Sequence, residues 1–450
     1  MKDLPILNSR VQLKNKRVLL RLDWNIPVQG MPSKEDLAKV DASVSTVRYL
    51  QKHGAIVIIL THLGRPKKRD KSLSTVRLLP MAEAYLDCPV MFCGEDITKQ
   101  DGKLEVESAL STAKSGDVFL MENVRFYEGE EKNDVALSQT YASLADYFVN
   151  DAFASSHRAH VSVAGIARYL PHFAGPELIN EIEAASRLIE KPKRPFVTVI
   201  GGMKLSTKMP VINSLLKAAD KVLIGGAMAH PFFVAKKYKI GKSYTEVEGL
   251  KFAKALIKNK KIVLPSDALV AKKIDIHAKP HVVLVNEIKL NDVIGDIGTA
   301  TMREWSSIIK NAQTILWNGP LGVAKIPAFS HGSLVIARAI AARSNGAAYG
   351  LVGGGDTVPV ALQTGMSEWY DHVSMGGGAL LEFIEKKGRL PGIEALLASS
   401  TRTLNVLKAS LKRPQEKKQI ARKMIAAKSK KIVQKVKKIV HKKGSLKKKK

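Results

Sequence analysis

Cysteine is scarce in this chain, long apolar runs are missing, and the last fifty residues hold one acid and no Phe, Trp or Tyr. Only Cys88 and Cys93 occur, five apart and with no nearby His cluster of metal-ligand spacing. Disulfide scaffolding, a zinc site and thiol redox chemistry are therefore set aside, and two reduced, partly buried thiols are expected. The longest apolar stretches, such as Ile56–Leu60, are strand-length, far short of the roughly 20 residues that cross a bilayer. The start, Met1-Lys2-Asp3-Leu4-Pro5, lacks the apolar run of a signal peptide, so a cytoplasmic protein without a transmembrane segment is expected. No clear short-period repeat is present.

What is abundant is positive charge, and it is unevenly placed. Residues 401–450 carry 20 Lys or Arg against the single acid Glu416, so +19 of the formal +31 belongs to this tail, and 52 basic against 40 acidic side chains remain in residues 1–400. A chain of 450 residues exceeds the size at which single cores stop growing, so about two domains are expected.

Within the body, short β-branched runs alternate with helical patterns: Arg17–Leu20, Ile56–Leu60, Pro195–Ile200, Lys221–Ile224 and Thr314–Trp317. Strand, loop and helix repeated in this way predict parallel sheets, whose ligands collect at the C-terminal ends of the strands. Between Glu177 and Glu190 the spacing of Leu178, Ile182, Ala185 and Ile189 predicts a helix. Lys191-Pro192-Lys193-Arg194-Pro195 breaks it before the next strand. The expected architecture is α/β: two Rossmann-like three-layer lobes with parallel sheets joined by a connecting helix at about 175–190, plus a basic C-terminal tail, helical or disordered. The expected division is 1–170, completed by about 385–400, then 171–384, then the tail from 401.

Every candidate motif lies just after one of these runs. Three glycine clusters, Gly201-Gly202-Met203-Lys204, Gly353-Gly354-Gly355-Asp356-Thr357 and Gly376-Gly377-Gly378, are candidate phosphate cradles, because glycine lets backbone N–H groups approach an anion and a following helix adds its positive end. The first third offers Arg21–Pro27, Thr61–Pro66, Glu122–Phe126 and Asn150–His160. A single arginine is usually a surface charge. Its recurrence after successive strands points to an anion pocket, since its planar fork suits carboxylate and phosphate. Two phosphorylated molecules brought together is the reading these residues give.

Taken in order, these motifs, with Gly129–Asn133, Trp317–Pro320 and Leu390–Gly392, resemble the phosphoglycerate kinase family from about Leu13 to Ala395. The resemblance implies a monomeric glycolytic phosphotransferase that moves a phosphoryl group between 1,3-bisphosphoglycerate and ADP, giving 3-phosphoglycerate and ATP, with Mg2+ as cofactor. Closure of the lobes about a hinge near Gly175 and the connecting helix is expected, because donor and acceptor must come within reacting distance with water excluded. By that likeness Asp23 and Asn25 hold the hydroxyl and carboxyl end of the substrate; His62, Arg65, Arg125 and Arg158 bind its anionic groups, with His157 and His160 lining the basic patch. Lys204 takes the catalytic lysine position and Lys208, four residues on and expected on the same helix face, reaches the nucleotide phosphates. Asp356 holds the metal, Thr357 caps a phosphate, Gly355 and Gly378 join the catalytic set, and Gly202, Gly226, Asn318, Pro320, Gly322 and Gly354 join the nucleotide site.

The departures are informative too. Lys39 stands where the family has its catalytic arginine and keeps the charge without the planar fork. Lys325 stands where the family has a ribose-binding glutamate, and an ammonium cannot accept a hydrogen bond. Met203, Ala227 and Met375 replace alanine, glycine and threonine, so the changes cluster around the nucleotide. Two readings stay open: an active kinase with altered nucleotide affinity or preference, or a catalytically weakened relative acting as a binding or scaffold protein through its tail. From Gln419 to Lys443 apolar residues fall at three- and four-residue steps between lysines, the pattern of a basic amphipathic helix. A solubilising tail, non-specific nucleic-acid binding, an anionic membrane surface or the protein's own body are its candidate roles.

Overall fold

The structure is a computed structural model that describes residues 3–27, 32–398 and Thr403. The segment read as a basic amphipathic helix lies outside them. The first lobe is built on β1 (Arg17–Arg21), β2 (Ile56–Leu60), β3 (Val90–Cys93), β4 (Val118–Met121), β5 (Tyr147–Asn150) and β6 (His172–Ala174). They form one parallel sheet in the order β3-β4-β2-β1-β5-β6. Strands β2, β4 and β5 are buried along their whole length, as is β1 from Val18 onward. Burial on both faces explains why their sequences read as continuous apolar runs rather than alternating ones.

The second lobe holds β7 (Phe196–Ile200), β8 (Lys221–Ile224), β9 (Ile262–Val263), β10 (Asp267–Ala271), β11 (His281–Leu284), β12 (Val293–Ile297), β13 (Thr314–Asn318), β14 (Tyr349–Gly353) and β15 (His372–Ser374). Six of these make a parallel sheet in the order β15-β14-β13-β7-β8-β9. The other three form a small antiparallel sheet, β11-β10-β12, which the sequence pattern did not announce. Its outer strand β11 is largely exposed on both faces, so it carries no strong hydrophobic period to read. Cys88 and Cys93 are free thiols, and burial pushes the Cys93 thiol up to about 11. Among the described residues no helix is long and apolar enough to cross a membrane.

The helix Pro176–Ile189 runs from one sheet to the other and buries Leu178, Ile182, Ala185 and Leu188. Its first turn is fixed by Asp151 at the end of β5, which accepts from Leu178 N at 3.0 Å and from Thr46 Oγ1 on the helix Lys34–Lys52. Ser33 and Asp36 close that second helix with a reciprocal capping box. After β15 the chain returns to the first lobe: Gly392 N donates to Ser156 O at 2.9 Å, and His172 Nε2 lies 2.9 Å from Leu396 O.

Glu181, buried in the connecting helix, holds the loop that follows β15. Its carboxylate accepts from Ser374 Oγ at 2.7 Å and Met375 N at 2.9 Å. His372 Nε2 lies 3.1 Å away, an ion-pair contact without hydrogen-bond alignment. Burial disfavours charge on His372, but Glu181 outweighs it and the imidazole pKa is raised. A raised base stabilises the fold below its unfolded pKa, and that contribution fades as pH rises through the folded value. Glu181→Gln is therefore expected to cost about 1–3 kcal/mol, with a larger loss at pH 6 than at pH 9, read from denaturant midpoints at the two pH values.

Candidate active site

Both lobes aim the C-terminal ends of their strands at one cleft. On the first-lobe side the loops after β1, β2, β4 and β5 supply Arg21, Asp23, Asn25, His62, Arg125, Arg158, His157 and His160, all lining a cavity of about 210 Å3. Lys39, on the helix Lys34–Lys52, faces the same cavity. Arg65 lies outside the cavity walls, exposed beside Arg125, whose pKa it helps depress.

Arg21 is fully buried and organises this wall. Its Nε donates to Ser162 Oγ at 3.0 Å, its Nη2 donates to Ser155 Oγ at 3.3 Å and meets His62 Nδ1 at 3.0 Å, and its Nη1 donates to Leu22 O. Ser162 Oγ in turn donates to the buried Glu130 carboxylate at 2.5 Å. Because an arginine cannot accept, His62 Nδ1 must be the acceptor, leaving the other nitrogen to carry the proton. Burial and then Arg21 hold the His62 pKa well below 6.5. Burial followed by Arg125 and Arg158 brings His160 down to about 4. Arg125 is itself lowered to about 10, by burial and by Arg158. This is a pocket of crowded cations with neutral histidines, prepared for an anion that relieves the repulsion. Asp23 Oδ1 is buried without a hydrogen-bond partner among the described residues and lies 4.0 Å from His62 Nδ1. Asn25 Oδ1 accepts from Gly64 N at 2.8 Å, and Arg125 Nη1 donates to Gly64 O, which together shape the loop after β2.

The opposite wall is glycine. Gly354, Gly355, Gly376, Gly377 and Gly378 line the same cavity. A Cβ added at Gly355 or Gly378 would meet nothing within 4 Å. Packing does not demand glycine there; the missing side chains leave the backbone open to the cleft. Gly377, at φ +52, turns the chain into the helix Gly378–Glu385, whose first residue lines the cavity.

Beyond this wall lies a second cavity of about 210 Å3, lined by Gly202, Lys204, Lys208, Asn318, Pro320, Asp356 and Thr357, and again by Gly354, Gly355, Gly377 and Gly378. Lys208 Nζ donates to Asn318 Oδ1 at 2.8 Å, Asn318 Nδ2 donates to Gly353 O at 2.6 Å, and Gly319 N donates to Thr357 Oγ1 at 2.6 Å. The turn at Gly319 has φ +95 and passes so close to Gly201 that a Cβ would stand 2.1 Å from Gly201 O. The expectation that Lys204 and Lys208 share a helix face is corrected: Lys204 lies in the loop, Ser206–Lys208 is a 3-10 turn, and the α-helix begins only at Met209, with Pro210 in its first turn. Both lysines nonetheless line one cavity.

A third space, a largely apolar slot of about 360 Å3, continues from Gly202, Met203, Pro320 and Asp356 toward Phe233, Tyr244 and Ile294, with Gly226 and Gly322 in its walls. Its other two carboxylates are engaged. Asp267 accepts from Ala300 N, Thr301 N and Thr301 Oγ1, and Asp296 accepts from Gly332 N and Ile297 N. Burial pushes Asp296 up to about 7. Lys325 is exposed and lines none of the three spaces. The slot residues Phe233, Tyr244, Pro265 and Ile294 were missed in the sequence, because they come from scattered elements and share no motif. Arg21 was visible as the head of a motif, but its burial was not.

Two parallel α/β lobes facing one cleft, with a cationic pocket on one side and glycine-framed cavities on the other, fit a phosphotransferase class. The family model described as phosphoglycerate kinase matches residues 8–387. The phosphoglycerate kinases of Moorella thermoacetica and of a Thermus thermophilus strain are each 42% identical to the chain, over 393 and 388 residues, covering 86% and 85% of this chain and 97% of each relative. The solved phosphoglycerate kinase of Coxiella burnetii superposes with TM-score 0.75 at 37% identity, over 87% of this chain and 99% of that one. That of Pyrococcus horikoshii gives 0.76 at 30% identity, over 88% and 100%. The chain belongs to the phosphoglycerate kinase family.

Lys208 yields a pH test. Burial lowers its pKa from 10.5 to about 8, against the opposing pull of Asp356. A phosphate beside the amine favours the charged form, so binding takes up a proton and weakens as pH rises through about 8. The dissociation constant of MgADP is expected to rise several-fold, up to about tenfold per pH unit, above that point. Calorimetry in buffers of different ionisation enthalpy should show the proton uptake, and Lys208→Gln should abolish it.

Proposed function

We propose that the three linked cavities divide the phosphoglycerate kinase reaction among them. The observation that carries this reading is the glycine wall, shared by the cationic pocket and the phosphate cavity. Phosphoglycerate occupies the cationic pocket: Asp23 and Asn25 meet its hydroxyl and carboxyl end, and His62, Arg65, Arg125 and Arg158 take its anionic groups, with His157 and His160 beside them. The nucleotide phosphates lie against Gly202, Lys204, Lys208, Asn318, Thr357 and Gly354–Gly355, and its base and ribose lie in the slot by Gly226, Pro320 and Gly322. Its reacting phosphate then points through the glycine wall at the carboxylate of phosphoglycerate.

Phosphoryl transfer asks the protein for alignment and fixed positive charge more than for covalent help. Lys204 and Lys39 flank the transfer path from opposite lobes and offset charge on the equatorial oxygens. The N–H groups of Gly355 and Gly378 supply donors at no steric cost. Asp356 is the residue that would hold Mg2+. Among the described residues no group of three or more His, Cys, Asp or Glu forms a protein cage, which fits a hard cation completed by phosphate oxygens and water. When bound, that ion neutralises charge on the nucleotide phosphates.

The protein works as a cytoplasmic monomer in this reading, divided near 170 with residues 385–400 returning to the first lobe, and its Lys-rich tail offers a charge-driven contact for polyanions. The test is steady-state transfer from MgATP, or MgGTP, to 3-phosphoglycerate. Lys204→Ala is expected to lower kcat at least a hundredfold while phosphoglycerate affinity changes less than threefold, because Lys204 is exposed and lies outside the cationic pocket. Gly378→Ala should lower kcat while moving stability by no more than about 0.5 kcal/mol. Turnover unaffected in Lys204→Ala would remove the proposed role.

A further inference from the structure

A wide groove lies away from the reaction path. It measures about 800 Å3 and sits at the edge of the second sheet where β13 and β14 begin, opposite the edge that carries the glycine loops. Leu4 and Ile6 of the chain start form one side, the connecting helix contributes Ile179 and Ile182, and Tyr349 closes the other side. Ile6 is 42% exposed. Ser186, on the same helix and facing the groove, has its hydroxyl buried without a hydrogen-bond partner among the described residues. A half-apolar groove with an unpaired buried hydroxyl is incomplete as it stands.

The last described residue identifies what lies beside it. Thr403 Oγ1 accepts from His172 N at 3.0 Å and donates to His172 O at 3.1 Å, on the edge strand β6. Two residues along, Ala174 N donates to Pro5 O and Leu7 N donates to Ala174 O. Residues two apart in a strand offer their backbone groups to the same edge. Thr403 therefore shares with the chain start the same free edge of β6, two residues along the strand. The chain continues as Leu404-Asn405-Val406-Leu407-Lys408-Ala409-Ser410-Leu411 before Lys412-Arg413-Pro414. Half of those eight residues are large and apolar, and at about 3.3 Å per residue they reach roughly 26 Å, enough to cross the groove.

We propose that residues 404–411 dock in this groove, setting Leu407 and Leu411, which share one face of an extended segment, against Ile6, Ile179 and Ile182 and supplying the partner that Ser186 lacks. Lys408 then meets the exposed carboxylates of Glu183 and Glu190 at the rim. Because the groove is walled by the edge of the first lobe, the connecting helix and the base of the second lobe, the docked segment clasps all three. The lysine-rich residues beyond Pro414 are delivered to the side away from the cleft, where a polyanion can engage them without blocking substrate.

Disulfide trapping in the full-length chain tests this. With Cys88 and Cys93 replaced by serine, Ile6→Cys paired with Leu407→Cys is expected to form an intramolecular disulfide at least tenfold faster than Ile6→Cys paired with Lys449→Cys. Equal rates, or no disulfide in protein that retains kinase turnover, would overturn the proposal. A disulfide between chains would also overturn it, showing that a second copy fills the groove. Hydrogen exchange provides an independent reading: Leu407→Asp with Leu411→Asp should speed exchange of residues 179–190 several-fold, and unchanged exchange there would count against docking.

Discussion

The cationic side of the cleft depends on a buried chain of polar contacts that runs from Glu130 through Ser162 and Arg21 to His62. A guanidinium out of water needs a counter-charge, and breaking such an arrangement by removing one member costs about 3–5 kcal/mol. Glu130 supplies that charge from behind, through Ser162. Burial raises its own pKa while Ser162 and Arg21 oppose the rise. The result fixes the face of His62 toward the cleft and allows Arg125 and Arg158 to crowd beside it. Repulsion among these cations is stored at the surface that an anionic substrate covers.

The other side of the cleft meets the opposite requirement. Where one wall needs charge held rigidly, the facing wall needs the absence of side chains. Gly355 and Gly378 are surrounded by open space, so their lack of Cβ opens the backbone to the cleft and is not demanded by packing. Asp151 and Glu181 connect the two walls mechanically. One fixes the first turn of the connecting helix, and the other, three residues further along from that turn, fixes the glycine loop after β15. Both are buried acids, and their short polar contacts add direction to an apolar core that runs continuously from the first lobe through the connecting helix into the second.

The two lysine departures have different structural weight. Lys39 faces the cationic pocket from its helix, so that wall carries a point charge without the paired donors of a planar fork. Lys325 is exposed and outside the slot, and of the carboxylates that do line the slot Asp267 and Asp296 are committed to hydrogen bonds, while Asp356 also lines the neighbouring cavity. The slot thus offers few free acceptors.

Much of this was legible in the order of residues. Strands such as Ile56–Leu60 and Thr314–Trp317 announced themselves because burial on both faces demands unbroken apolar runs, and the motifs after them fell at the cleft because parallel strands all point one way. The glycine clusters were readable because no other residue permits that backbone approach. Other features had no local signature. The slot draws Phe233, Tyr244 and Ile294 from separate elements, the sheet β10-β12 has an exposed outer strand with no period, and the helix at Lys208 starts later than spacing implied because its first turn contains Pro210. Sequence by itself determined the class of each element and which residue types could meet an anion, since both follow from local periodicity and side-chain chemistry. Only the tertiary structure decided which arginine is buried, which histidines stay neutral and which glycines face open space, because desolvation and pairing depend on neighbours more than a hundred residues away in the chain.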